Sequence, residues 1–257
     1  IDLKHYEALL SLVAPATPAV RLLDPFAGEG AFLEAAAKAW NVTPYANELD
    51  GERAAACIAR FGATQAVRCD VERLVASNNA FGAAWLNPPY DHDAGASGSK
   101  RVEFRYLRHA WKWVQDGGLA LWCIYRQHIT SEAAAFLAKH SSRVEVWALP
   151  GKHLDTYDQM VVAAIKGVPL DPAALYEQII RDRDRPQPLT VQSAAIYRLP
   201  APRPVQRFVF APDMLDEIAG LKLIEEQGAW RTGGFQALLY DAPATTEIEP
   251  VVAPRPG

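Results

Sequence analysis

Along the first two thirds of the chain, apolar residues fall into short runs, and between these runs lie longer segments rich in Ala, Leu and Glu. Short apolar runs bounded by turn residues read as buried strands, and the intervening segments as helices. The strand candidates are Val20–Leu23, Thr43–Asn47, Gln65–Cys69, Ala83–Leu86, Leu119–Tyr125, Val144–Leu149 and Met160–Lys166. The helix candidates are Leu3–Val13, Ala31–Trp40, Gly51–Phe61, Val102–Val114 and Ser131–Lys139. This alternation predicts an α/β fold, a doubly wound and mostly parallel sheet of seven strands with helices on both faces. Only PGKHLDTYDQ separates Leu149 from Met160. A helical crossover needs about a dozen residues or more, so the last strand is expected to run antiparallel.

The pattern lapses after Gly167, and 13 of the 19 prolines stand at or beyond Pro150. Residues 1–167 are therefore expected to form the doubly wound domain, and 168–257 a small α+β appendage with a Pro-rich tail. The appendage offers a helix at Pro172–Arg181, a strand near Val191–Tyr197, the apolar run Arg207–Phe210 and a helix at Asp213–Glu226. The chain starts with Ile rather than Met and ends in EIEPVVAPRPG, so it is expected to be a fragment of a longer protein.

Composition narrows the class. Half of the residues are hydrophobic and 22% are charged, as in an ordinary globular protein. No run approaches the roughly 18 apolar residues of a membrane span, and no signal-peptide order opens the chain, so the expected location is the cytoplasm. Cys57, Cys69 and Cys123 form no CxxC pair, so neither a disulfide framework nor a metal site is expected. The net charge of −4 gives no global attraction to phosphate; nucleic-acid binding would have to rest on local basic patches.

Candidate chemistry gathers at the strand ends. Leu22-Leu23-Asp24-Pro25-Phe26-Ala27-Gly28-Glu29-Gly30 ends a strand with an acid and turns through glycines into a helix. Gly28 and Gly30 allow close approach of a ligand, while Leu33 stands where a dinucleotide loop has its third glycine. An acid ahead of the glycines suits a ligand carrying a cationic amino group. Glu48, 24 residues after Asp24, ends the second strand where a carboxylate can accept both ribose hydroxyls, and Asp70 follows the third. Each acid taken singly reads more readily as a helix cap or a solvated turn residue; together, at the ends of successive strands, they point to a ligand.

The fourth strand runs into Asn87-Pro88-Pro89-Tyr90. Two prolines fix the backbone and remove two amide donors, leaving carbonyl acceptors in rigid array. Asn87 Oδ1 and the Pro88 carbonyl suit holding the hydrogens of a conjugated amino group, and Tyr90 offers a face for a stacked base. The glycine-rich run Asp91–Arg101 is read as a loop whose Lys100 and Arg101, with Arg105 beyond it, meet phosphate or solvent. In the final hairpin Lys152, His153, Tyr157 and Gln159 stand at the carboxyl edge of the sheet, a possible acceptor-pocket wall.

These motifs resemble those of class I S-adenosylmethionine-dependent methyltransferases, and within them the N6-adenine DNA methyltransferases. DPFAGEG resembles the first motif of that family, NELD the second, Cys69-Asp70 the third and NPPY the catalytic fourth. The resemblance covers about residues 20–167. It implies S-adenosylmethionine as cofactor, with Asp24 and the loop Phe26-Ala27-Gly28 to Gly30 at its methionine part, Glu48 at the ribose, Asp70 and Val71 at the adenine, and Pro25, Leu49 and Asn87 also among the residues that bind it. It implies catalysis by Asn87, Pro88, Pro89 and Tyr90, and nucleic acid as partner, DNA ahead of RNA. The alternatives are a protein glutamine or an RNA base as acceptor, or a non-catalytic methyltransferase-like subunit.

Overall fold

The computed structural model describes residues 3–89, 102–149 and 158–210. Tyr90, the loop 91–101, Lys152, His153, Tyr157 and the helix expected at Asp213–Glu226 lie outside the described residues.

Ten strands and six α-helices follow the chain in the order α1 (Leu3–Ser11), β1 (Arg21–Asp24), α2 (Ala31–Trp40), β2 (Thr43–Glu48), α3 (Gly51–Phe61), β3 (Ala66–Arg68), β4 (Leu74–Ala76), β5 (Phe81–Leu86), α4 (Val102–Trp111), β6 (Val114–Tyr125), α5 (Ser131–His140), β7 (Ser141–Ala148), β8 (Gln159–Lys166), α6 (Pro172–Asp184), β9 (Gln187–Pro188) and β10 (Phe208–Phe210) among the described residues. The main sheet has the order β3-β2-β1-β5-β6-β8-β7-β9. Strands β3, β2, β1, β5 and β6 are mutually parallel, and β8 inserts antiparallel between β6 and β7. The expected α/β class and antiparallel last strand are thus present. The sheet has eight strands rather than seven, because the two-residue β9 adds in parallel to the β7 edge. A dipeptide carrying a proline shows no periodicity from which a strand could be read.

Alternation along the central strands sorts side chains into two cores. Leu23, Ala84, Leu86, Trp122 and Val162 face the side covered by α4, α5 and α6, through Leu107, Leu137 and Ile179. Leu22, Ala83, Trp85, Leu121 and Val161 face the other, with Leu9 of α1 and Leu33 and Trp40 of α2. Strands buried on both faces are near-continuously apolar, which is why they were legible.

The segment after Gly167 joins these same cores. Ile179 and Phe208 belong to the first, Leu189 and Tyr197 to the second. Helix α6 extends the expected Pro172–Arg181 to Asp184, with Asp171 capping the amides of Ala173 and Ala174 at its start. The expected strand near Val191–Tyr197 does not form. That stretch passes through bends instead; the Ile196 and Tyr197 amides donate to the Leu12 carbonyl, and Val13 and Tyr197 form an isolated bridge. The apolar run before Phe210 does form a strand, but its antiparallel partner is β4, which sequence periodicity did not reveal in three residues. No helix among the described residues is long and apolar enough to cross a membrane.

Candidate functional site

Strand β1 has β2 on one side and β5 on the other, so the connections leaving it diverge, and a crevice opens beyond the carboxyl ends of the strands. The register sets Leu23 beside Ala84, which brings the end of β1 and the end of β5 out together. A cleft of about 870 Å³ lies there.

Asp24, Pro25, Phe26, Ala27 and Gly28 line it from β1, Glu48 and Leu49 from β2, Asp70 and Val71 from β3, and Asn87, Pro88 and Pro89 from β5. Twelve of the residues singled out in the sequence therefore share one wall-to-wall space. Gly30 does not line it. It caps α2 with φ of 78°, and a Cβ there would stand 2.6 Å from Phe61 Cε2, so this glycine is required by the packing of α3. Tyr90 lies outside the described residues.

The floor is electrostatically unusual. Asp24 is 2% exposed and accepts a hydrogen bond from the Phe26 amide at 3.0 Å. Burial lifts its pKa to about 8; the Phe26 amide opposes the shift and the charge of Glu48 adds to it. No Lys, Arg or His among the described residues pairs with it. A buried carboxylate without a counter-charge is a ready seat for a ligand's cationic group.

Glu48 accepts from the Gly28 amide at 2.7 Å through one oxygen and from the Asp50 amide at 3.0 Å through the other. It thereby ties the glycine loop to the end of β2, while each oxygen keeps lone pairs for ligand hydroxyls. Leu49, 63% exposed, stands beside it as an apolar surface on the cleft. Asp70 Oδ1 accepts from the Glu72 amide at 2.8 Å, capping the turn Val71–Arg73, so the capping reading of this acid holds alongside its place on the cleft.

Among the lining residues that the sequence did not single out are Asn47, Tyr6, Trp85 and Tyr106. Asn47 is buried and donates from Nδ2 to the Pro25 and Cys69 carbonyls, both at 3.1 Å, while its Oδ1 accepts from Cys69 Sγ at 3.0 Å. It clamps the ends of β1, β2 and β3 together. Its neighbour Glu48 carried the sequence signal. Tyr6 reaches the cleft from α1, where the charge of Asp24 adds to burial in raising its pKa. Tyr106 of α4 and Trp85 of β5 complete the walls; the Tyr106 ring lies 5.1 Å from that of Phe26, and Trp85 stacks 4.3 Å from Phe32. Aromatics at helical or strand spacing read as core, and only the docking of α1 and α4 places Tyr6 and Tyr106 at the cleft. Gln159 is buried in β8 and paired with Tyr125 of β6 in the sheet, outside the cleft lining.

No curated protein compared with the chain matches it. Among solved structures it is similar to the methyltransferase subunit of a type I restriction-modification system from Streptococcus thermophilus, with 14% identity and a TM-score of 0.52 over 72% of this chain and 52% of that one. A protein from Listeria monocytogenes described as a class I S-adenosylmethionine-dependent methyltransferase gives 13% identity and a TM-score of 0.50 over 72% of each chain. The type IIG restriction endonuclease BpuSI gives 18% and 0.52, over 74% of this chain and 29% of that one. These likenesses show a shared fold, and the chain spans about half the length of the Streptococcus subunit. The model of an uncharacterised methyltransferase family (DUF6094) matches residues 6–187, which include every described residue of the cleft. With more than half of its length matched, this chain belongs to that methyltransferase family.

Proposed function

We propose that the chain transfers a methyl group from S-adenosylmethionine to an amino nitrogen, with adenine N6 in DNA as the leading acceptor. The observation that carries this reading is the shared cleft: a buried, uncompensated Asp24 at the end of β1 and the rigid Asn87-Pro88-Pro89 at the end of the adjacent β5. The cofactor fits the residues present. Asp24 suits its ammonium group, Glu48 its ribose hydroxyls, and Leu49 and Val71 form apolar walls for its purine, beside which Asp70 can accept an amino hydrogen.

When bound, S-adenosylmethionine supplies a methyl group on a positively charged sulfur. The chain's own part is then to position the acceptor. An exocyclic purine amine has its lone pair drawn into the ring, and acceptors that hold its hydrogens turn that lone pair toward an electrophile. Asn87 Oδ1 and the Pro88 carbonyl are those acceptors, and the two prolines keep them from yielding. Proton loss follows to solvent or a nearby acceptor, so no strong general base is required. Phe26 and Tyr106 exclude water on one side. Residues 1–167 carry this machinery, and 168–210 support its sheet.

The test is transfer of tritiated methyl from S-adenosylmethionine to unmethylated DNA, total RNA and cell protein. Label recovered in DNA as N6-methyladenine is the expected result. Label in RNA or protein alone would keep the chemistry and replace the acceptor, and cofactor binding without transfer to any of them would overturn the catalytic reading. Asn87→Ala is expected to lower transfer by about 10²-fold or more while changing cofactor affinity little. Full activity in that variant would remove Asn87 from the mechanism.

A further inference from the structure

A second cavity, of about 580 Å³, opens at the other edge of the sheet, where Ala80 leads into β5 and Trp113 into β6. Strand β5 spans six residues, about 20 Å at ~3.3 Å per residue, so this cavity is well separated from the methyl-transfer cleft. Its walls are the 77–80 loop, the chain just after α4 and the segment entering β10.

Its charge is the reverse of the molecule's. Lys112, Arg203 and Arg207 line it, and among the described residues none of the three has a carboxylate within ion-pairing distance. Lys166 lies nearby, within electrostatic reach of Arg203, with its charge offset by Asp116. Asp116, an acid at this edge, is already engaged by Lys166 at 3.9 Å and by Asn79 Nδ2 at 3.3 Å. Such a cluster in a chain of net charge −4 is a local site for an anion.

The walls are also fixed in place. Ser77 Oγ accepts from the amides of Gln206 and Arg207 at 2.8 and 2.9 Å, and the Ser77 amide donates to the Arg207 carbonyl at 2.9 Å. Asn79 adopts φ of 55° and accepts the Asp116 amide at 2.7 Å, while Arg203 reaches its carbonyl at 3.5 Å. Among the described residues, the one aromatic in the lining, Trp113, is 1% exposed, so it offers no ring for a base to stack on. Lys112, Arg203 and Arg207 with the exposed Asn78, and without a stacking face, are the set that contacts phosphate and sugar rather than bases. The volume accommodates more than a single phosphate.

We propose that this cavity holds phosphates of the acceptor's nucleic-acid backbone, a contact remote from the chemistry that adds affinity and carries no sequence information. The inference rests on a nucleic-acid acceptor. The site's work is electrostatic: each phosphate neutralised releases condensed counterions, so binding here steepens the dependence of affinity on salt.

The test uses the full chain and a fluorescently labelled DNA duplex, with anisotropy read across a series of salt concentrations. The triple variant Lys112→Ala/Arg203→Ala/Arg207→Ala is expected to bind at least about tenfold more weakly at 0.1 M salt, with a log–log slope shallower by about 2 to 3. Its KM for DNA should rise while kcat and S-adenosylmethionine affinity stay unchanged. Arg203→Lys/Arg207→Lys keeps the charge and should keep the slope, which separates charge loss from misfolding. Wild-type affinity and slope in the triple variant, with label still appearing in DNA, would overturn this inference alone. No duplex binding and no label in DNA from the wild type would remove the DNA acceptor and this inference together. Stabilisation of the wild type by pyrophosphate without duplex binding would assign the cavity to a free phosphate ligand and overturn the backbone contact.

Discussion

Asp24 sets the pH behaviour of the site. Its carboxyl is held up near 8 by burial, against an ordinary value near 4. The sign follows from linkage: the folded, ligand-free chain favours the protonated acid, so this group costs stability progressively as pH rises from about 4 to about 8, on the order of a few kcal/mol by neutrality. A bound ammonium group reverses the preference and ionises the acid. Cofactor binding at pH 7 is therefore expected to release close to one proton, seen as a buffer-dependent binding enthalpy in calorimetry, and affinity should climb with pH and level off near 8. A binding enthalpy independent of buffer would mean that Asp24 is not the seat of the cation. Asp24→Asn should raise the melting temperature of the ligand-free chain at pH 8 and weaken cofactor binding, a trade of stability for function at one buried atom pair. Asn87 makes the complementary case, because its substitution should leave binding and remove transfer.

Between the strands, the site is held by side chains that the ligand need not touch. Asn47 joins the ends of β1, β2 and β3 through two donated bonds and one accepted from Cys69. Asn47→Ala would leave two buried carbonyls unpaired, and it is expected to cost about 2 to 4 kcal/mol of stability and to weaken S-adenosylmethionine binding, checked by urea unfolding and calorimetry. An unchanged unfolding midpoint would show that the strand ends hold without it. The glycine loop is braced similarly, by Glu48 at the Gly28 amide and by Cys57 Sγ at the Gly28 carbonyl. Burial pushes both the Cys57 and Cys69 thiols up to about 11, so they serve as packed donors and not as nucleophiles at neutral pH. At the far edge, β4 and β10 meet as a short antiparallel pair, and Phe208 seats its ring 5.0 Å from Tyr45 and 6.2 Å from Phe81.

For the molecule as a whole, Phe208 and the other late residues decide where the folding unit ends. Residues 168–210 supply Ile179, Leu189, Tyr197 and Phe208 to the cores on the two faces of the sheet. A chain cut after Gly167 is expected to aggregate or to melt at least about 10 °C below one cut after Ala211, since several buried side chains each contribute about 2 to 4 kcal/mol. Equal melting temperatures would show 1–167 to be an independent domain. What the sequence determined by itself was everything that rests on local periodicity or on neighbours in the chain. It determined the α/β class, the antiparallel return of β8, and the positions of Asp24, Glu48, Asp70 and Asn87 at strand ends, because two-face burial writes apolar runs and a strand end writes its turn. Tertiary structure alone decided which elements meet: β9 on β7, β10 on β4, Tyr6 and Tyr106 at the cleft, Asn47 as its clamp, Gly30 against Phe61, and a basic cavity assembled from residues some 90 positions apart. Those contacts join segments distant in sequence and too short to carry a period, so nothing local records them.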